Sequence, residues 1–175
     1  MTKRIHNIVL IGMPGSGKST IGKRLAKYFD LEFVDTDLIL GQAENMPIQS
    51  IIDKRGLRRF MLTEHEVLNS LNLQGAVIAT GGSAVYSVPA MQHLALTGTR
   101  VYLYISLATM LRRVSNVESR GLVKLPQHHL SRLYREREGL CDAAADVRFD
   151  NNRPITGLTI DELQKQIIGF ERDRN

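Results

Sequence analysis

The chain has 175 residues, 43% of them hydrophobic, which suffices for one sizeable core and leaves too little for a second full domain, so we expect one domain over 1–175. A formal charge of +5 lies on scattered arginines rather than on one basic tail, and only 6% of residues are aromatic, with no Trp, so small phosphorylated ligands explain the charge at least as well as nucleic acid. No stretch approaches the roughly 20 apolar residues of a membrane span, and the single cysteine, Cys141, allows no internal disulfide. We therefore expect a cytoplasmic protein without a membrane or nucleic-acid partner. A monomer is the expected oligomeric state, although no pattern in the sequence specifies it.

Apolar runs of strand length alternate with helical patterns along the whole chain. The predicted strands cover residues 7–12, 31–35, 76–80, 100–106 and 146–150. Several are apolar nearly throughout, as in strands buried on both faces, and the alternation predicts a parallel sheet covered by helices on both sides.

Two helix starts and one irregular segment stand out between these strands. Pro47 suits the first position of a helix, and Thr159 with Glu162 predicts a capping box at the start of the last helix. Residues 115–127 lack a regular pattern, and a loop of that length in a compact domain is typical of a lid or a mobile segment.

The segment GMPGSGKST, residues 12–20 and here called the phosphate loop, follows the first predicted strand and precedes a helix. It matches G-x-x-x-x-G-K-[ST], in which backbone N–H groups and the positive end of the helix dipole hold a di- or triphosphate. Lys18 is expected to reach the terminal phosphates, and the Ser19 hydroxyl to coordinate Mg²⁺. The residues assigned to the nucleotide are Gly12, Gly15, Ser16, Gly17, Lys18, Ser19 and Thr20.

The second strand ends in FVDTDL, which brings Asp35 and Asp37 to the carboxyl edge of the sheet, where ligands bind in open α/β folds. Two residues apart on a strand, both carboxylates are expected to face the phosphate loop. One would order metal-bound water and the other would accept and orient a substrate hydroxyl. Helix capping by the same aspartates is the alternative, and the two functions are compatible.

The third strand runs into TGGSAV, where Gly81 and Gly82 permit close approach of the backbone to a ligand or simply form a turn. Arg120 lies in the irregular segment and is the candidate for a lid charge over a transferring phosphoryl group. Arg137 is either a bidentate clamp for a carboxylate or phosphate, or part of a solvated helix face. Arg113, or its neighbour Arg112, is a candidate to stack on an adenine ring.

These segments, in this order and spacing, resemble the shikimate kinases, small P-loop kinases of the nucleoside monophosphate kinase type, over essentially the whole chain. The resemblance is carried by GMPGSGKSTIGKRLA, DTD, TGGSAV, the arginine at position 120 and the RER before GLC. It implies an α/β, three-layer αβα P-loop kinase fold, with a five-stranded parallel sheet, helices on both faces and a lid. It also implies ATP-dependent phosphorylation of a small-molecule hydroxyl, most simply shikimate to shikimate 3-phosphate.

The resemblance assigns roles to individual residues. On the nucleotide side it implies that Lys18 and Ser19 hold phosphates and Mg²⁺ and that Asp35 assists the metal through water. Arg120 would sit at the transferred phosphate, and Arg113 and the 151–154 loop with Arg153 would contact adenine. On the acceptor side the implied residues are Asp37, Gly81, Gly82 and Arg137.

The acceptor side departs from the family pattern. The family has a second carboxylate-binding arginine after a phenylalanine, whereas here Met61 follows Phe60, and the third glycine of the substrate loop is Ser83. Losing one charge-assisted contact weakens binding by ~2 to 3 kcal/mol. Arg58, three residues earlier on the same helical face, either restores this contact or belongs to a solvated turn.

Three functions follow from this pattern. The first is a shikimate kinase, the second a related kinase acting on another hydroxylated metabolite, and the third a nucleotide-binding module with little catalysis. Retention of Lys18, Asp37 and Arg120 favours a kinase, because a binding module needs neither an acceptor-orienting carboxylate nor a lid charge.

Overall fold

The computed structural model describes residues 6–115 and 127–174. Most of the predicted lid, with Arg120, therefore lies outside the described residues. The elements in chain order are β1 (Asn7–Ile11), α1 (Lys18–Phe29), β2 (Glu32–Asp35), α2 (Thr36–Ala43), α3 (Ile48–Ser70), β3 (Ala76–Ala79), a 3-10 turn (Ala84–Tyr86), α4 (Val88–Thr97), β4 (Gly98–Tyr104), α5 (Leu107–Ser115), α6 (Gln127–Ala144), β5 (Val147–Asp150) and α7 (Gly157–Asp173).

The five strands form one parallel sheet in the order β2-β3-β1-β4-β5, which confirms the predicted fold class. β1 lies at the centre, with β3 on one side and β4 on the other. The connection after β1 therefore runs to one side of the sheet and the connection after β3 runs to the other, so the strand order reverses at β1. Such a reversal opens a crevice at the carboxyl edge, and the phosphate loop follows β1 there. β4 begins at Gly98, two residues earlier than predicted, because its pairing with β1 starts at Asn7 opposite Gly98.

Alternate residues of the strands face two separate cores. Ile8 and Leu10 of β1 pack with helices α1 and α7 on one face of the sheet, whereas Val9 and Ile11 pack with α3, α4 and α6 on the other. Because both faces are covered, the strands carry apolar residues at successive positions, as the sequence pattern predicts. Among the described residues, no helix combines the length and the apolar character that crossing a membrane requires.

The two helix starts differ from their predictions. Pro47 is the residue before α3 and not its first helical position. The predicted capping box at Thr159 and Glu162 is wrong, because α7 already begins at Gly157 and Thr156 is its N-cap. Thr159 is the third helical residue and exchanges hydrogen bonds with Thr156, so a threonine does here what Glu or Gln does in the usual box.

Helix α3 changes direction at Gly56, whose φ of 80° and ψ of 160° are not helical. A positive φ of this size is accessible to glycine at little cost, and the interruption separates a short first part from a longer second part. The second part carries Arg58, Met61 and Glu64, so the kink sets the direction in which this part of the helix runs.

Candidate active site

The phosphate loop has the left-handed backbone that its glycines predict. Gly12, Gly15 and Gly17 have φ values of 144°, 74° and 89°. Lys18 folds back over the loop, where its Nζ donates to the carbonyl oxygens of Gly12 and Met13 at 2.8 and 3.0 Å. Ser16 is buried beneath the loop, while Thr20 is exposed in the first turn of α1. The loop is thus an anion cradle at the start of a helix.

Ser19 and Asp35 meet beside this cradle. The Ser19 hydroxyl donates to Asp35 Oδ2 at 3.0 Å, which joins the first turn of α1 to the end of β2. A hydroxyl and a carboxylate side by side form a set of hard oxygen donors, and Mg²⁺ prefers one or two such ligands together with phosphate oxygens. The pair therefore fits the predicted metal role.

The two aspartates do not share a strand, contrary to the prediction. Asp35 closes β2 and caps α2, accepting from the backbone N–H of Asp37 at 3.1 Å, so the capping alternative is correct for Asp35. Asp37 lies in the first turn of α2. The strand ends at Asp35, two residues before Asp37, and the first turn of α2 still brings the Asp37 carboxylate next to Gly81 at the carboxyl edge.

Gly81 lies where two carboxylates of the acceptor side come close to the backbone. A Cβ there would overlap Oε1 of Glu64 and lie 2.9 Å from Oδ1 of Asp37, so only glycine lets these two carboxylates approach. The N–H of Gly81 donates to the Thr36 hydroxyl at 3.2 Å. The residue thus provides space for the carboxylates and ties its loop to α2.

Arg137 of α6 reaches over the same loop. Its Nη1 is 3.0 Å from the position that a Cβ on Gly82 would take. Its Nε donates to the Tyr86 hydroxyl at 3.2 Å, and its guanidinium lies 5.0 Å from the Tyr86 ring centroid. The side chain is half-buried and oriented, as expected of an anion clamp, whereas Arg132 and Arg135 are exposed as expected of a solvated face.

Arg113 connects the parts of the nucleotide side. Arg113 donates to the carbonyl oxygens of Gly15 at 3.3 Å, Asn151 at 2.8 Å and Arg153 at 3.0 Å. Burial, together with the charge of Arg112, lowers the pKa of this guanidinium. Arg153 itself is exposed, and its backbone rather than its side chain makes this contact.

Glu64 is a site residue that the sequence analysis missed. Its side chain is almost fully buried, with a residue exposure of 4%. Oε2 accepts from the Ser83 hydroxyl at 2.5 Å, and burial raises the pKa of the carboxyl to about 7. The sequence contains a signal for this residue. Glu64 occupies the stripe of α3 that otherwise carries Phe60, Val67 and Leu68. Because burying a carboxylate is costly, its presence in an apolar stripe indicates a specific role.

Met61 and Arg58, the two residues considered for the missing carboxylate-binding arginine, have different surroundings. Met61 is half-buried against an apolar cluster that includes Leu40, Ile51 and Phe60. Arg58 is exposed and, among the described residues, has no hydrogen bond or ion pair, while its neighbour Arg59 pairs with the buried Glu44 at 3.4 Å. A compensating role for Arg58 stays a prediction.

Comparison with known proteins shows the family to which the chain belongs. The sequence model of the family described as shikimate kinase matches residues 14–168. The chain belongs to the shikimate kinase family. Members of this family are ATP-dependent small-molecule kinases.

Individual shikimate kinases agree with the chain over nearly its full length. The shikimate kinase of Francisella tularensis subsp. holarctica is 36% identical over 95% of this chain and 95% of its own. That of Sulfurihydrogenibium sp. is 32% identical over 93% of this chain and 98% of its own. The solved shikimate kinase from Acinetobacter baumannii in complex with shikimate has a TM-score of 0.84 at 30% identity, and the match covers 98% of this chain and 95% of that one.

Proposed function

We propose that this chain transfers the terminal phosphoryl group of ATP to a hydroxyl of shikimate, giving shikimate 3-phosphate. The observation that carries the proposal is the position of Asp37, whose Oδ1 shares the space above Gly81, at the same sheet edge as the phosphate loop. An acceptor hydroxyl and a nucleotide phosphate held at one edge meet the need of phosphoryl transfer for close, in-line reactants.

Each side chain has a definite task in this reaction. Asp37 accepts a hydrogen bond from the attacking hydroxyl and orients it. Arg137, held over Gly82 by Tyr86, pairs with the acceptor carboxylate. Lys18 leaves its two loop carbonyls for the nucleotide phosphates. Arg120, which lies outside the described residues, is expected to add positive charge at the transferring phosphoryl group.

Ser19 and Asp35 would hold Mg²⁺ when it is bound with the nucleotide. Their oxygen atoms, 3.0 Å apart, fit the ion's preference for hard ligands. The ion would neutralise negative charge on the phosphate oxygens. ATP as the phosphoryl donor is supported by the glycine-rich cradle and by Arg113, which ties that cradle to the 151–154 loop.

The proposal includes a cytoplasmic monomer made of a single domain. The lone thiol of the chain, Cys141, is buried and free, which agrees with a reducing compartment. Size-exclusion chromatography with light scattering tests the monomer directly.

The test is a coupled assay of ADP formation from ATP, Mg²⁺ and shikimate. We expect turnover well above the rate of ATP hydrolysis without acceptor. Asp37→Asn is expected to lower kcat by about 10²-fold or more, the range for loss of a positioned base, with the KM for ATP little changed. Mg-ATP is expected to raise the Tm of both proteins.

Asp53→Asn is the matched control, because Asp53 is exposed in α3 and bonded to Gln49 there. Its kinetics should equal those of the wild type. ADP formation with shikimate no faster than without it would remove shikimate as the acceptor.

The second candidate function is a related kinase whose acceptor is a different hydroxylated metabolite. It is favoured by Met61, which offers no charge to an acceptor carboxylate. A panel of polyols and hydroxy acids in the same assay identifies that acceptor. Inertness towards the whole panel, with Mg-ATP still raising Tm, would favour a nucleotide-binding module.

A further inference from the structure

A buried carboxylate joins helices α2 and α3 at the end of α2. Glu44 directly follows the last residue of α2, and only 8% of its surface is exposed. Its Oε2 accepts from Nη1 of Arg55, while its Oε1 accepts from the Thr63 hydroxyl at 2.8 Å and from Nη2 of Arg59 at 3.4 Å. All three partners belong to α3, so this one side chain connects the two helices through both of its oxygens.

The three partners of Glu44 lie on both sides of the kink in α3. Arg55 is the residue before Gly56, whereas Arg59 and Thr63 belong to the second part of the helix. Backbone hydrogen bonds fix the direction of a regular helix, but at Gly56 the φ and ψ angles leave the helical region. A carboxylate that binds both parts therefore constrains the angle between them.

The network around Glu44 provides geometry more than stability. The hydrogen bond from Thr63 lowers the pKa of Glu44, burial opposes this, and the charges of Arg55 and Arg59 lower it further, so the carboxylate is ionised at neutral pH. The two arginine side chains remain nearly half exposed, and water screens such ion pairs. Hydrogen bonds to an ionised group are nevertheless directional and fix the relative positions of the groups they join.

The angle of α3 matters because both helices reach the acceptor side. α2 carries Asp37 in its first turn, and the second part of α3 carries Glu64; the carboxyl groups of both lie against Gly81. A rotation of α3 at its kink would move Glu64. Asp37 would stay in place, because Asp35 at the end of β2 caps α2 and holds its start at the sheet.

We propose that Glu44 is a positioning residue for the acceptor: by binding α3 on both sides of the Gly56 kink, it holds the second part of this helix at the angle that the acceptor pocket requires. Glu44 acts through the helix and not by contact with a substrate. The inference rests on the proposed function, since it concerns the same pocket, but the position of the helix can be measured without turnover.

Steady-state kinetics of Glu44→Ala measure the consequence for each substrate separately. We expect the KM for shikimate to rise about fivefold or more, because small displacements of positioned groups impair a site strongly. The KM for ATP and the kcat at saturating shikimate should stay within about twofold of wild type, since the phosphate loop and Asp37 keep their positions. Glu44→Gln keeps an acceptor oxygen for Thr63 but loses the charge, so its KM for shikimate should lie between the two.

Asp146→Asn is the matched control for loss of an ion pair. Asp146 accepts from Nε and Nη2 of Arg100 at 3.0 and 2.8 Å near the start of β4, at the edge of the sheet opposite the phosphate loop. Both variants should lower the Tm, because each loses an arginine–carboxylate pair. Only Glu44→Ala should change the KM for shikimate, and a similar rise in Asp146→Asn would overturn the proposal, since reduced stability would then be the cause.

A distance measurement tests the position of the helix directly. Cys141 is buried, so spin labels react selectively with cysteines introduced at exposed positions. Leu62→Cys in the second part of α3 and Leu158→Cys in α7 provide two exposed labelling sites on opposite sides of the sheet. Without substrates, we expect a narrow distribution of label-to-label distances when Glu44 is present and a shifted or broader one in Glu44→Ala. Asp146→Asn should leave the distribution unchanged.

These measurements distinguish failure of the inference from failure of the proposed function. An unchanged distance distribution in Glu44→Ala would overturn the inference whatever the protein phosphorylates, and so would a changed distribution with an unchanged KM for the acceptor. If Glu44→Ala does not fold by circular dichroism, Glu44→Gln replaces it, with changes in the same direction expected. Wild type that does not phosphorylate shikimate removes the proposed function, and the KM of the acceptor found in the metabolite panel then replaces that of shikimate. Inertness towards the whole panel counts against both.

Discussion

At position 61 a methionine stands where the shikimate kinase pattern has an arginine. The thioether lies half-buried against Leu40, Ile51 and Phe60, so its environment is apolar on one side. Glu64, whose carboxyl is buried, follows three residues later, about one helical turn further along α3. A long cationic side chain at 61 would thus find both an acceptor carboxylate and a counterion within the reach of one turn.

We therefore expect Met61→Arg to lower the KM for shikimate several-fold, because a guanidinium forms charge-assisted bonds to carboxylates that a thioether cannot form. Met61→Leu is the volume control and should leave KM within about twofold of wild type, as volume-conserving apolar changes are well tolerated. Steady-state kinetics at saturating ATP measure both.

A KM in Met61→Arg that rises or does not change would contradict this expectation. Two explanations would then remain: Arg58 already binds the acceptor carboxylate, or Met61 lies outside the acceptor site. The variant Arg58→Ala distinguishes them. If Arg58 already serves as the clamp, its removal raises the KM of the wild type; if Met61 is outside the acceptor site, it does not.

At the scale of elements, the helix boundaries show what local patterns can predict and what they cannot. The start of α7 falls three residues earlier than the S/T-x-x-E/Q rule places it, because a second threonine replaces the acidic partner of the box. The interruption of α3 at Gly56 leaves no pattern, since a single glycine in a helical stretch is compatible with an unbroken helix. Only the backbone conformation shows that this glycine redirects the chain.

Gly56→Ala is expected to destabilise the protein by about 1 to 2 kcal/mol, because the φ of 80° is unfavourable for any residue with a Cβ. Space is not the cause, as no atom lies within 4 Å of the position of the new Cβ. Gly169→Ala in α7 is the matched control: it also meets no atom within 4 Å, but its backbone is helical, so we expect a gain of about 0.5 to 1 kcal/mol. Urea unfolding followed by circular dichroism measures both, and changes of equal sign would refute the role of the kink.

At the scale of the whole molecule, the sequence predicts best those features that follow from regular patterns or from a known motif. Apolar strands separated by helices predict the parallel sheet, and the phosphate loop with its neighbours predicts which edge carries the site. The contact between Glu64 and Ser83 joins residues 19 positions apart in a helix and a loop, and no local pattern specifies it. Gly81 illustrates the same limit: the sequence indicates that the backbone is approached closely, but only the fold shows that two carboxyl groups make the approach.

The buried carboxyl also affects the stability of the whole protein. Glu64 has a pKa of about 7 in the folded state against an ordinary value of 4.5, so the folded state binds its proton more tightly than the unfolded state. The stability that this provides is complete below about pH 4.5, declines as the pH rises and is lost above about pH 7. Glu64→Gln cannot titrate, so the free energy of unfolding of wild type should fall by about 2 to 3 kcal/mol relative to that of the variant between about pH 5 and 8.

The groups that face Glu64, namely Asp37, Arg137, Lys18 and Ser83, are unchanged in the variant, so the difference reports Glu64 itself. Urea unfolding of both proteins across this range measures it, and a constant difference would mean that Glu64 is ionised in the folded protein throughout.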